Sequence, residues 1–309
     1  MKVVIVGPGA IGCFVAGRLA QGGIRAILLD YRPERAATIA AQGIRIEKRD
    51  GSQVVPIEAS ADPERIGRAD IVCICVKAYD TLRAVHSAQP VIARDTLVVS
   101  VQNGLGNAEL IAAVVGSSRV AVATTGYGVT LLGPGHVAEA GCGSTLIAPF
   151  EKTNPEPARQ FCELLTAAGF ASRFSEDLAG VVWSKLIINA GINPVSAIEN
   201  VANGEVWERP ALRAVALSAA LEGERVAAKK GVRLLFQDTA AELAEVCRKT
   251  RANVSSMLQD IRAGKRTEID AINGAIVREG SALAVATPVN AQLVERIYAL
   301  AAPCRPRHA

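Results

Sequence analysis

The chain has 309 residues, half of them apolar, with 34 lysines and arginines against 30 aspartates and glutamates and a net charge of +4. That length supports two domains with sizeable cores, and a charge so small, without a polybasic block, gives no reason to expect nucleic acid while leaving room for an anionic small ligand. No stretch approaches eighteen uninterrupted apolar residues and the N-terminus runs straight into a strand pattern, so a cytoplasmic protein with no membrane partner is expected.

The first predicted strand, KVVIV at 2–6, leads directly into GPGAIG, which places Gly7, Gly9 and Gly12 around Ala10 and Ile11 at the start of a helix. The first glycine permits a tight turn, the second lets a pyrophosphate approach the backbone, and the third lets helix and strand pack closely. A second strand, AILLD, ends at Asp30 and continues as DYRPER. Asp30 suits the ribose diol of NAD, whereas Arg32 suits the 2′-phosphate of NADP, and residue types alone leave both open. The strand ADIVCICV is followed at once by Lys77, and TLVVSVQ by Asn103 in QNGLG. Ligands of open α/β sheets bind outside the carboxyl ends of the strands, so both side chains are candidates for the crevice. With SRVAVATT the alternation of strands and helices predicts a parallel, Rossmann-type sheet with helices on both faces, residues 1–175. The run VTLLGPGHVAEAGCGSTLIAPF predicts an antiparallel extension of that sheet.

From about Ser175 the β-prone runs stop, and an all-helical domain, 176–309, is expected, ending in a frayed PCRPRHA tail. Within it, WSKLIINAGINPVSAI places Lys185, Asn189 and Asn193 four residues apart, one polar stripe over about 12 Å of an otherwise apolar helix. Gly191 and Pro194 weaken the helix interior, so the stripe is expected to end at a kink or a helix end. Further on, in NVSSMLQDIRAGKRTEIDAINGAIV, Ser256 and Asp260 share a helical face and Gly264 is a helix stop. Thr267 is a candidate cap for a new helix with Glu268 in its first turn, which would by itself account for Glu268. The seven cysteines are odd in number and sit in apolar contexts, as reduced core residues do; His86, His136 and His308 are dispersed without metal-ligand spacing, and no metal is expected.

Together GPGAIG, VKAYDT, QNGLG, WSKLIINAGINPVSAI and SSMLQDIRAGKRTEIDAING resemble the ketopantoate reductase (2-dehydropantoate 2-reductase) family, in the family's order and over nearly the whole chain. The resemblance implies a Rossmann domain, a helical domain, an active site in the cleft between them, and reduction of ketopantoate to pantoate in pantothenate and coenzyme A biosynthesis. It implies a catalytic role for Lys185, assisted by Glu268, with Asn103, Asn189, Asn193, Ser256 and Asp260 contacting a small 2-oxo acid. It also implies that Gly7, Gly9, Ala10, Ile11, Gly12, Asp30, Arg32, Lys77 and Asn103 line the coenzyme. The family favours NADP(H); Asp30-Tyr31-Arg32 departs from its usual arginine at the second strand end and leaves NAD(H) open. A homodimer is compatible with this reading. The alternatives are a reductase of another 2-oxo acid on the same scaffold and a non-catalytic NAD(P)H-sensing regulator.

Overall fold

The protein is described by a computed structural model over residues 1–48, 50–141 and 143–301. The tail from Ala302, with Cys304 and His308, lies outside the described residues, as does Cys142. The chain divides into two compact units, Met1–Val181 and the part from Val182 onward.

The first unit begins β1 (Lys2–Val6), α1 (Ala10–Gln21), β2 (Arg25–Leu29), α2 (Pro33–Gln42), β3 (Ile44–Lys48), β4 (Gly51–Val55), β5 (Glu58–Ser60) and α3 (Pro63–Ile66). It continues β6 (Ala69–Ile74), α4 (Thr81–Ser87), β7 (Ile92–Ser100), α5 (Asn107–Val115), β8 (Val120–Thr125), β9 (Gly128–Gly133), β10 (His136–Gly141), β11 (Ser144–Pro149), α6 (Glu156–Ala167) and β12 (Ala171–Phe174). Eight strands form one sheet in the order β12-β11-β8-β7-β6-β1-β2-β5. From β5 to β8 the pairs are all parallel. Val3, Val4 and Ile5 in β1 and Val72, Cys73 and Ile74 in β6 are inaccessible to solvent, because a central parallel strand is covered on both faces. The chain leaves β1 for β2 on one side and returns through β6 on the other, so the β1–β6 boundary is the topological switch point.

The expected antiparallel extension is β11, which pairs with β8. The β9–β10 hairpin before it goes elsewhere: with β3 and β4 it forms a separate four-stranded sheet, β4-β3-β10-β9, which local sequence does not announce. β10 pairs in parallel with β3 about ninety residues earlier in the chain, and His136 Nε2 meets Glu47 Oε1 at 2.7 Å across that pair. Among the described cysteines Cys13, Cys73, Cys162 and Cys247 are buried and free; burial pushes the thiols of Cys13, Cys73 and Cys247 up to about 12, which leaves them unreactive.

The second unit is built from α7 (Leu178–Glu199), α8 (Asn203–Glu208), α9 (Pro210–Lys229), α10 (Thr239–Lys249), α11 (Ser256–Arg262), α12 (Asn273–Ala282) and α13 (Pro288–Ala301). By length and composition α7 could cross a membrane, but 72% of its most apolar window is buried inside the protein, as in a core helix. It does not end at Gly191 or Pro194; it runs on to Glu199. Two contacts explain why. A Cβ on Gly191 would lie 2.8 Å from the Ala216 carbonyl of α9, so glycine permits the close approach of the two helices. Pro194 cannot donate to the carbonyl of Ala190, and the buried Asn273 amide takes its place, donating Nδ2 to Ala190 O at 3.0 Å. Asn273 also donates to Asn290 Oδ1, and the Asn290 amide donates to Glu222 and to the Ala219 carbonyl. The Glu222 carboxylate in turn accepts the first amides of α13, Val289 and Asn290. Asn273→Ala therefore strands two buried acceptors and should cost about 2–4 kcal/mol in denaturant unfolding. In a Pro194→Ala background, where residue 194 regains its N–H, the same change should cost clearly less. Equal losses in both backgrounds would rule out the proline as the reason for the asparagine.

Candidate active site

At the switch point Gly7 N–H donates to Leu29 O at 3.0 Å and Gly9 N–H to Gly7 O at 2.9 Å, folding the loop back on β1 before α1 begins. Gly7 takes φ +98°, and a Cβ there would meet Val76 Cγ1 at 2.6 Å; a Cβ on Gly12 would meet the Gly7 carbonyl at 2.1 Å. Both glycines are demanded by the fold itself. Gly9 is different, because a Cβ there meets nothing within 4 Å. It is the N-cap of α1, with no side chain capping the helix and no acidic residue in the first turn. Open space at the start of a twelve-residue helix, next to unshielded amides, fits the pyrophosphate of a dinucleotide.

Asp30 follows β2, only 2% exposed. Its Oδ1 accepts from Arg35 Nη2 at 2.7 Å and from the Arg32 amide at 3.2 Å, and its Oδ2 accepts from Arg35 Nε. Arg35 was not singled out from sequence. It lies five residues beyond Asp30, after Pro33 has opened α2, and only the turn of the chain brings the two together. The Arg32 side chain donates Nε to Tyr31 Oη at 2.8 Å.

Lys77 and Asn103 follow the adjacent strands β6 and β7, both half-buried. Their loops are tied by Gln102, whose amide donates to the Val76 carbonyl at 3.0 Å and to Thr81 Oγ1 at 2.8 Å. Thr81 donates on to Asn107 Oδ1, and Asn107 Nδ2 donates to the Asn103 carbonyl. Sequence reading missed Gln102 because its neighbour Asn103 carried the motif.

In the second unit Lys185, Asn189 and Asn193 occupy one uninterrupted helix, so their spacing does place them on one side of α7. Lys185 and Asn189 are half-buried and Asn193 is buried. Desolvation lowers the Lys185 pKa below the ordinary lysine value, and the negative charge of Glu242 on α10 acts against that shift. Glu242 is another residue that spacing did not reveal.

Ser255 caps α11, its Oγ accepting the Leu258 amide at 3.1 Å and donating to the Asn193 carbonyl at 3.4 Å. Ser256 starts the helix itself, and Asp260 lies buried one turn later. Gly264 ends α11 at φ +62°, with the Lys265 amide returning to the Asp260 carbonyl at 2.8 Å, as expected of a helix stop. The next helix departs from expectation. It starts at Asn273, not after Thr267, because Ile272 adopts a non-helical φ −102°, ψ −91°. Residues 268–272 form a turn in which the Ala271 and Ile272 amides converge on the Glu268 carbonyl. Thr267 Oγ1 accepts the Ile269 amide at 3.4 Å, as a cap does, but the turn it opens is not continued into the helix, so a helix N-terminus does not account for the buried Glu268.

The parallel sheet, the switch point and the glycine loop define a dinucleotide-binding α/β protein joined to a helical unit. Residues 3–152 match the family profile described as Ketopantoate reductase PanE/ApbA, and residues 177–301 match that of its C-terminal part. The chain is 34% identical over 301 residues to the 2-dehydropantoate 2-reductase of Halobacterium salinarum, covering 96% of this chain and 98% of that one. Among solved structures it is similar to a PanE/ApbA family ketopantoate reductase from Ralstonia eutropha JMP134 (34% identity, TM-score 0.87, 97% and 98% of the two chains). It is also similar to D-mandelate dehydrogenase in a ternary complex with NADH and anilino(oxo)acetate (26% identity, TM-score 0.92, 97% and 98%). The chain belongs to the ketopantoate reductase PanE/ApbA family.

Proposed function

We propose that this chain reduces ketopantoate to pantoate with a reduced nicotinamide coenzyme, NADPH in preference to NADH, in pantothenate and coenzyme A biosynthesis. The observation that carries the reading is Lys185, a half-buried cation with a lowered pKa on the same side of α7 as two amides. A bound reduced nicotinamide would supply the hydride for the keto carbon. Lys185 delivers a proton to the oxygen on which negative charge builds, so carbonyl becomes alcohol with atoms and charge balanced. Its lowered pKa eases that donation. Asn189 and Asn193 can donate to the carboxylate and hydroxyl groups of the substrate, as can the Ser256 hydroxyl, and Asp260 can accept from a substrate hydroxyl. Glu268 orients Lys185 or holds a water. Gly7, Gly9, Ala10, Ile11 and Gly12 would hold the pyrophosphate, with Lys77 and Asn103 beside the nicotinamide and Arg32 at the 2′-phosphate. The same reading places a cytoplasmic enzyme on a small 2-oxo acid, without nucleic-acid or membrane partners, and admits a homodimer.

The test is oxidation of NADPH and of NADH with ketopantoate and with a panel of other 2-oxo acids. A highest kcat/KM with ketopantoate supports the proposal. The likeness to D-mandelate dehydrogenase favours one second reading, an aryl 2-oxo acid as substrate, and a clear preference for benzoylformate would replace the first. The pH profile gives a further prediction. A lysine that must be protonated to act loses activity as pH rises through its pKa, so kcat/KM should fall below the range of an ordinary lysine. Glu242→Gln removes the charge that raises the Lys185 pKa, and the falling limb should move to lower pH. An unmoved limb, or a shift to higher pH, would exclude Glu242 as an influence on the proton donor.

A further inference from the structure

We infer that Arg35 sets coenzyme choice, by withdrawing the Asp30 carboxylate from the coenzyme's ribose and leaving the guanidiniums gathered at Tyr31 to receive a 2′-phosphate. The inference rests on the dinucleotide reading above and goes beyond it in assigning the choice to a residue outside the motif. A carboxylate at the end of the second strand ordinarily accepts from the ribose hydroxyls of NAD and repels a phosphate placed there. In this chain that carboxylate is spoken for. Arg35 engages both of its oxygens, the Arg32 amide adds a third hydrogen bond, and the Asp30 side chain is 1% exposed against 25% for Arg35. A two-pronged guanidinium–carboxylate pair is directional and its charges nearly cancel, so Asp30 is left with little power either to accept from a diol or to repel an anion.

What remains in reach of solvent is positive. Tyr31 is 59% exposed, and three guanidiniums lie about its ring: Arg83 at 4.9 Å, Arg32 at 5.1 Å and Arg35 at 5.9 Å from the centroid. They come from three places in the chain, the end of β2, the first turn of α2, and α4. Arg83 also pairs with Asp80 at 2.9 Å, with side chains 63% and 32% exposed. Exposed pairs three residues apart are weak, so Arg83 can turn to a phosphate dianion at small cost, whereas the buried Asp30 keeps Arg35 in place. With Asp30 and Asp80 counted against the three arginines, the cluster carries one net positive charge. Removing Arg35 would therefore do two things at once: delete a cation and expose an anion. Both penalise a 2′-phosphate, and the second offers a ribose diol the acceptor it lacks.

The test is calorimetric titration of the intact protein with NADPH, NADH and adenosine 2′,5′-bisphosphate, none of which requires turnover. The wild-type protein should bind NADPH at least about tenfold more tightly than NADH, the scale of one charge-assisted contact. Arg35→Ala should erase that preference, weakening NADPH and the bisphosphate by more than about tenfold while NADH binds as well or better. Arg35→Ala/Asp30→Asn removes the exposed charge and should regain part of the lost NADPH affinity; it also avoids a buried unpaired carboxylate if the single variant folds poorly. Arg83→Ala, on the surface, should weaken NADPH and the bisphosphate and spare NADH. Equal loss of both dinucleotides in Arg35→Ala, no recovery in the double variant, or a wild-type preference for NADH would each overturn the inference. A wild-type protein that binds neither dinucleotide would instead overturn the coenzyme reading on which it rests.

Discussion

Lys185→Ala should lower kcat for ketopantoate reduction by about 10²–10⁴-fold, roughly 3–5 kcal/mol of barrier, while coenzyme affinity stays within a few-fold of wild type. The size follows from what the side chain supplies. In the reaction a carbonyl oxygen gains negative charge within a partly desolvated site, and a positioned cation with a mobile proton stabilises that charge more in the transition state than in the bound ketone. Water is a poor substitute at the end of a truncated side chain. Loss of fold is separated by sign. A desolvated ammonium with a lowered pKa is a cost to the native state, so its removal should leave the melting temperature unchanged or higher. Lys185→Arg should remain strongly impaired, because a guanidinium keeps the charge but does not release its proton. Steady-state kinetics with thermal unfolding of all three proteins decides the matter, and near-normal turnover in the alanine variant would remove Lys185 from the chemistry.

Ser256→Ala should raise KM for ketopantoate by about 10–100-fold with a smaller change in kcat. A hydroxyl donating to a substrate carboxylate is worth about 1.5–3 kcal/mol, and it is felt in ground and transition states alike. Its neighbour supplies a control with a different signature. Ser255 is buried, caps α11 through the Leu258 amide and reaches the Asn193 carbonyl, so it serves the frame of the helix. Ser255→Ala should cost about 1 kcal/mol of stability with little change in KM. If KM instead rises as much in Ser255→Ala as in Ser256→Ala, the two serines have been assigned the wrong way round.

Much of this molecule was readable one segment at a time. Apolar runs such as KVVIV and DIVCICV become central strands because only a doubly covered strand can bury so many consecutive apolar side chains. Gly7 is legible because its positive φ is a demand of the local turn, Gly12 because it packs on the Gly7 carbonyl five residues back, and the stripe of Lys185, Asn189 and Asn193 depends only on helical period. Gly264 stops its helix through local backbone geometry. Where the outcome depended on how the backbone turned or packed, sequence pattern was silent or misleading. The second sheet exists because β3 meets β10, a pairing that no local propensity encodes. Pro194 reads as a helix breaker until Asn273, some eighty residues on, supplies the donor that proline lacks. Thr267 accepts the Ile269 amide as a cap would, yet the helix waits for Asn273, because Ile272 leaves the helical conformation. Asp30 gives no sign in the sequence of its partner Arg35, which the turn into α2 brings onto both of its oxygens. Periodicity and the backbone demands of tight turns are short-range constraints and survive in the sequence, whereas the partner of a buried polar group is chosen by three-dimensional proximity, and that is decided only when the chain has packed.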